Sequence, residues 1–207
     1  MMGENLTAAT IVPFLEDIID RRGAESYLGE AVTMAEHMLQ AALLAEQQGA
    51  PDELVVAALL HDIGHFTTEF GPYSPADTKD NHHDRAGARI LAPFFPPVVT
   101  ECIRLHVAAK RYLCAKDPAY LHSLSTASVH TLFLQGGAMS QGEVDEFEQS
   151  QFHREAVRVR ICDDRAKVAG MTTRRFRDYT ELLRGVSTLS DGIVVTDRWG
   201  GSPQDRA

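Results

Sequence analysis

The chain has 207 residues, 44% hydrophobic and 24% charged, with a formal net charge of −9. That length buries a core without disulfides, and the acidic balance argues against nucleic-acid binding by phosphate neutralisation or docking on an anionic membrane. No apolar run approaches the ~20 residues of a membrane span, Met1 to Asp20 lacks the blocks of a signal peptide, and Cys102, Cys114 and Cys162 form no CxxC pair, so a cytoplasmic protein without a disulfide framework is expected.

In chain order, Ile11, Phe14, Leu15, Ile18 and Ile19 recur at helical spacing and predict a helix over Ala8–Arg21, stopped by Gly23. The next helix runs over Thr33–Gln48, with Met34, His37, Met38, Ala41, Leu44 and Ala45 on its inner stripe. Pro51 opens a third, Asp52 to about His61, which is apolar all round and therefore belongs at the buried centre. Phe66–Asn81, carrying Gly71, Pro72, Ser74, Pro75 and Asp77, is a long loop of the kind that serves function or stays disordered. Helices follow at His83–Leu91, Val98–Ala109, Pro118–Ser123, Thr126–Leu134 and Gln141–Glu148, with a turn at Gly136-Gly137. A long helix is expected over Gln151–Ala169, with Phe152, Ala156, Val159, Cys162 and Ala166 on one face, and a last one over Phe176–Leu183. Beyond Gly185 the periodicity fails. Residues 1–185 read as one all-α domain and 186–207 as a partly disordered tail, in which Ile193-Val194-Val195 is a short strand-like run.

The chemistry concentrates where the most apolar helix ends, in Leu59-Leu60-His61-Asp62-Ile63-Gly64-His65. An aspartate at the inner end of a buried helix is costly unless it is paired or binds a cation. A neighbouring imidazole and carboxylate point ~100° apart, so they serve adjacent metal positions, and the carboxylate can bridge two ions. His37 lies on the inner stripe of an earlier helix and Asp163 on the inner half of a late one.

His37, His61-Asp62 and Asp163 in this order resemble the HD-domain superfamily, which implies a helical bundle with a metal site in its core. His83, in His-Asp-Arg-Ala-Gly, and His106, in Ile-Arg-Leu-His-Val, extend the set to four histidines and two aspartates. Six ligands and a bridging carboxylate suit two close ions, and a nitrogen–oxygen set without thiolate suits iron or manganese better than structural zinc. Many HD proteins are phosphohydrolases. Tyr27-Leu28-Gly29-Glu30, the run from His106 to Leu113, Gln135-Gly136-Gly137 and Arg160-Ile-Cys-Asp163 make this chain similar instead to the HD-domain mixed-valent diiron oxygenases of organophosphonate breakdown.

That resemblance implies His37, His61, Asp62 and Asp163 on one iron, and Asp62, His83 and His106 on the other. It implies Tyr27 as a ligand that leaves when substrate binds, and Glu30 as partner of the substrate's amino end. It also implies O2 as co-substrate, a mixed Fe(II)/Fe(III) pair, and a small phosphonate as the molecule bound. Spacing adds donors for that anion. Lys110 follows His106 by four residues, Arg160 precedes Asp163 by three and His65 follows His61 by four, each about one helical turn from a ligand. Ser128 offers a hydroxyl. The expected substrate is a 1-hydroxy-2-aminoethylphosphonate, giving glycine, or its N-trimethyl analogue, giving glycine betaine, with inorganic phosphate released in either case. Phe66, Phe70 and Tyr73 can favour the quaternary ammonium by cation–π contact or form a hydrophobic lid. The alternative is an HD phosphohydrolase acting on a nucleotide or a small phosphate ester.

Overall fold

The computed structural model describes residues 6–66, 80, 82–188 and 194–195. Among them are helices α1 (Ala8–Arg22), α2 (Met34–Gln47), α3 (Asp52–Leu60), α4 (His83–Leu91), α5 (Pro97–Lys116), α6 (Pro118–Ser123), α7 (Thr126–Leu134), α8 (Gln141–Gln149), α9 (His153–Arg165) and α10 (Thr180–Val186). Tight 3-10 turns occupy Ile63–Phe66 and Phe176–Tyr179. The fold is the expected all-α bundle, and no helix among the described residues is long and apolar enough to cross a membrane.

The centre is α3. Pro51 precedes it, and Asp52 and Glu53 in its first turn complement the helix dipole. Every residue from Leu54 to Leu60 is buried, against α2, α5, α9 and α10. Burying its two valines and three leucines contributes on the order of 10 kcal/mol before entropy is subtracted. That gain helps offset the charged groups held at its end, which cost several kcal/mol each when desolvated.

The neighbouring helices are fixed by local devices. A reciprocal cap starts α2: the Glu36 N–H donates to Thr33 Oγ1 at 3.2 Å, and the Thr33 N–H to Glu36 Oε2 at 2.7 Å. Gln40, fully buried on α2, clamps the chain leaving α9, donating to the Val168 carbonyl at 2.9 Å and accepting from its N–H at 3.0 Å. That clamp holds the end of α9 against α2. It is also why α9 stops at Arg165 instead of continuing to Ala169: the Val168 backbone is bonded to a side chain rather than to a helical ladder. Helix α5 runs past Ala109 to Lys116, because no Gly or Pro stands between Val98 and Asp117; it ends where Asp117, before Pro118, turns extended at φ −138°.

In the last predicted helix, Phe176–Tyr179 forms a 3-10 turn that leads into α10. Val194–Val195 (β2) pairs antiparallel with Leu6–Thr7 (β1), Leu6 opposite Val195. This part of the expected tail is thus joined to the N-terminal segment. The remaining tail residues, and Phe70 and Tyr73 of the long loop, lie outside the described residues. Phe66 is buried, with its carbonyl accepting from Arg22 Nη1 at 2.7 Å.

Candidate metal centre

Five segments bring their side chains to one point. His37 comes from α2, His61 and Asp62 from the residues that end α3, His83 from the first position of α4, His106 from the middle of α5 and Asp163 from α9. All six are buried. Residue His82, at φ 50°, turns the chain sharply before α4 and sets the direction in which His83 enters.

The imidazoles are oriented by backbone. His37 Nδ1 lies 2.7 Å from the Ala166 carbonyl, His61 Nδ1 2.8 Å from that of Ala58, and His106 Nδ1 2.7 Å from that of Ile103. A carbonyl only accepts, so each Nδ1 carries the proton and each Nε2 presents a lone pair inward, the tautomer a metal ligand needs. The inward nitrogens meet at short range, with His37 and His61 Nε2 3.0 Å apart and His83 and His106 Nε2 3.1 Å apart.

Asp62 stands between the two pairs. Its Oδ2 is 3.4 Å from His37 Nε2 and 3.3 Å from His61 Nε2, while its Oδ1 is 3.4 Å from His83 Nε2 and 3.5 Å from His106 Nε2. Asp163 adds Oδ1 at 3.4 Å from His37 Nε2. Asp62 Oδ2 and Asp163 Oδ1 are buried and accept no hydrogen bond. Buried carboxylate oxygens without donors, facing imidazole lone pairs, are what cations resolve. The arrangement fits two ions: His37, His61 and Asp62 group round one point, and Asp62, His83 and His106 round another. The donors are nitrogen and oxygen throughout.

A pocket opens beside this cluster, lined in part by Tyr27, His65, Lys110, Ser128 and Arg160. Tyr27 stacks on the His37 ring at 3.8 Å. Burial, then the charges of Asp62 and Asp163, push its phenol well up. The turn that follows needs Leu28 at φ 49° and Gly29 at φ 80°, and the Glu30 N–H closes it on the Tyr27 carbonyl at 2.7 Å. Glu30 is half-buried with its Oε1 shielded and accepting no hydrogen bond. His65 stacks on His83 at 4.0 Å; burial and then the His83 charge push it down to about 3, so it is a neutral imidazole.

Lys110 is buried and donates to Thr131 Oγ1 at 2.8 Å. Ser128 Oγ accepts from Lys167 Nζ at 2.8 Å. Arg160 reaches the pocket with its guanidinium already held: Nη1 lies 2.7 Å from Asp163 Oδ2, Nη2 pairs with Asp164, and Nε donates to the Tyr120 hydroxyl at 3.3 Å. Against burial, which would raise it, Arg160 first and then His61 hold the Asp163 carboxyl low. Arg111, next to Lys110, points away and clamps the Gly136-Gly137 turn, donating to the Gly137 carbonyl at 2.9 Å and to Glu143 at 2.6 Å.

Of the residues singled out from sequence, Tyr27, His65, Lys110, Ser128 and Arg160 line the pocket and Glu30 is not among its lining residues; not singled out were Thr131, which lines it, and Lys167, Asp164 and Tyr120, which bond to Ser128 and Arg160. The signal for the first two was present: Thr131 follows Ser128 by three residues and Lys167 follows Asp163 by four, the spacing that had singled out Lys110.

A family model described as the HD domain matches residues 34–166. A [1-hydroxy-2-(trimethylamino)ethyl]phosphonate dioxygenase (glycine-betaine-forming) from Leisingera caerulea is 53% identical over 179 residues, 86% of this chain and 91% of the relative. A hydroxymethylphosphonate dioxygenase from Gimesia maris is 47% identical over 156 residues, 75% of this chain and 78% of the relative. An uncharacterized protein of Acanthamoeba polyphaga mimivirus is 34% identical over 173 residues, 81% and 77% of the two chains.

Proposed function

The chain belongs to the HD-domain family, and from that membership we propose that it is a diiron oxygenase that cleaves the C–P bond of 1-hydroxy-2-(trimethylammonio)ethylphosphonate. O2 is consumed, and the products are inorganic phosphate and glycine betaine. The observation that carries the reading is Asp62, whose two carboxylate oxygens each face a separate pair of histidine nitrogens. The names of two relatives support C–P cleavage by an oxygenase.

His37, His61, Asp62 and Asp163 would hold one iron and Asp62, His83 and His106 a second, and a ferrous–ferric pair bound there would supply a Lewis acid for substrate oxygen and electrons for O2. The protein's own groups bind and orient. Lys110 supplies N–H donors to the phosphonate, and Ser128 a hydroxyl. Arg160 adds positive charge while fixing the outer oxygen of Asp163. His65, neutral and stacked on His83, offers a hydrogen bond without a charge. Tyr27 lies over His37 as a removable cover, keeping water from that side until substrate enters.

Glu30 decides between substrates. Hydroxymethylphosphonate carries no cation and leaves a shielded carboxylate oxygen facing nothing. A trimethylammonium or ammonium group answers it. Exchanging Glu30 for alanine is expected to raise KM for the trimethylammonio substrate by about tenfold or more, as for a charged contact worth roughly 1.5–3 kcal/mol, while metal content stays as in the wild type. KM for hydroxymethylphosphonate should change little; an equal rise for both substrates would contradict the assignment.

A pH dependence follows from Lys110. Burial, then Arg160, push its amine down to about 7. Below that pH it is an ammonium ready for the anion; above it the free protein holds a neutral amine, and binding must take up a proton. KM for the phosphonate therefore rises as pH climbs past about 7, and calorimetry in buffers of different ionisation enthalpy shows proton uptake on binding. Lys110→Met removes both effects.

The reading as a whole is tested by phosphate release with and without O2, on iron-loaded protein, with the trimethylammonio, primary-amine and hydroxymethyl phosphonates in parallel. Phosphate release should require O2 and be fastest with the first. Equal release under argon would indicate a hydrolase.

A further inference from the structure

Helix α6 buries none of its 6 residues, so packing of an apolar face does not explain why the chain forms it. Local devices do. Pro118 stands in its first turn, where a missing N–H costs nothing, and Asp117 Oδ1 accepts the Ala119 N–H at 2.8 Å. What the helix delivers is Tyr120. This residue is half-buried, and its hydroxyl reaches across to α9, where it donates to Asp164 Oδ2 and accepts from Arg160 Nε at 3.3 Å.

Arg160 lies along α9 between two consecutive aspartates. Asp164, one turn on, takes the edge of the guanidinium formed by Nε and Nη2, with Nε 3.1 Å from its Oδ2. Two N–H···O contacts of this kind fix the plane of the fork as well as neutralising its charge. The remaining nitrogen, Nη1, then lies 2.7 Å from Asp163 Oδ2. Asp163 thereby has one oxygen tied. The other, Oδ1, is buried, accepts no hydrogen bond and stands 3.4 Å from His37 Nε2. The last torsion of an aspartate is broad and soft, so the tie to Arg160 is what decides which oxygen faces the histidines.

We infer that Tyr120 and Asp164 are positioning residues for Asp163, the metal ligand proposed on α9. They hold the Arg160 guanidinium in one plane, and the guanidinium holds the carboxylate with Oδ1 turned to the ion. This inference rests on the two-iron reading above. Arg160 and Asp163 are buried, so water does little to screen the contacts between them. Neither Tyr120 nor Asp164 is among the residues that line the pocket, so their loss acts on the ion rather than directly on substrate. Tyr120 is the cleaner probe of the two, because removing its hydroxyl changes geometry without changing charge.

The test challenges the iron-loaded full chain with a graded chelator and counts the iron retained by elemental analysis. Tyr120→Phe is expected to release one iron per chain at an about two- to tenfold lower chelator concentration, as for one lost hydrogen bond, and the second as the wild type does. Asp164→Asn, which also breaks the fork, should release one iron at an about ten- to hundredfold lower concentration, the range for an outer partner of a metal ligand. Arg160→Lys keeps the charge but has no fork to be held. It should behave as Asp164→Asn does, and adding Tyr120→Phe to it should change nothing further. A mere loosening of α6 would instead act equally in both backgrounds. Tyr112→Phe is the control, since the Tyr112 hydroxyl donates to Glu148 on the surface at 2.8 Å, and it should hold iron as the wild type does.

Wild-type iron retention in Tyr120→Phe or in Asp164→Asn overturns the inference and leaves the two-iron reading intact. So does an equal effect of Tyr120→Phe with and without Arg160→Lys. A wild-type chain that holds no iron overturns the two-iron reading, and the inference with it. If Arg160→Lys does not fold, Tyr120→Phe and Asp164→Asn decide, each against its own expected shift.

Discussion

Asp62→Asn is expected to weaken metal binding at both of the proposed positions and to abolish measurable turnover. Each oxygen of the Asp62 carboxylate faces one histidine pair, at 3.3–3.4 Å on one side and 3.4–3.5 Å on the other. Asparagine keeps the shape but not the charge, and it turns an N–H₂ towards one of the pairs, where a lone pair is needed. Outer partners of metal ligands are worth about 10–100-fold in affinity, so a ligand shared by two ions is worth at least about 100-fold at each. The effect also registers without an activity assay. An ion present at about a thousand times its dissociation constant stabilises the fold by about 4 kcal/mol, or roughly 8–16 °C in Tm for a chain of this size. A chelator should therefore lower the Tm of the wild type by at least that much and move Asp62→Asn far less. Two ions per chain retained in Asp62→Asn, by elemental analysis, would overturn the bridging assignment.

The cluster was legible in sequence because its ligands obey helical periodicity. His37 lies on the inner stripe of α2, and Asp62 follows a helix with no polar face to hide it. Such positions announce burial, and a buried carboxylate announces a partner. What sequence could not show are contacts between segments far apart in the chain. The carbonyls that set the imidazole tautomers include Ala166, 129 residues from His37, and nothing local marks it. Arg160 read as a free donor for the substrate, whereas Asp164 and Tyr120 hold much of its guanidinium. Tyr120 comes from α6, which periodicity located but could not orient. The end of α9 was overrun because a distant side chain, Gln40, takes the Val168 backbone that a helix would have used. The pairing of β2 with β1 joins the two ends of the chain through residues with no distinguishing pattern beyond a short apolar run.

Gly64→Ala will damage the same centre by a different route, through the backbone that positions His83. Gly64 sits in the 3-10 turn after α3, pressed against the start of α4. A Cβ there would lie 1.9 Å from the His83 carbonyl oxygen, 2.7 Å from its carbon and 2.9 Å from the Gly87 nitrogen. All three are backbone atoms, so no side chain can swing aside. Relief requires α4 to retreat by more than 1 Å to restore an ordinary contact, and His83 is its first residue. Metal–ligand distances tolerate only about 0.2 Å, so binding at the position proposed for His83 and His106 should weaken first. Overpacking of this kind costs about 1–3 kcal/mol or more, and the lost ion adds to it. Gly87→Ala, on the facing surface, should be milder, since its Cβ meets Gly64 nitrogen and the Ile63 side chain at 3.2 Å. Gly142→Ala, on exposed α8 with nothing within 4 Å, should be neutral or stabilising by up to about 1 kcal/mol. Denaturant unfolding and metal content, measured on all three, separate the cases. Gly64→Ala is expected to show a lower midpoint and no more than about one ion per chain, with the His37–His61 position filled in preference. A Gly64→Ala protein with the wild-type midpoint and a full metal complement would mean that the close approach of the turn to α4 does not set the position of His83.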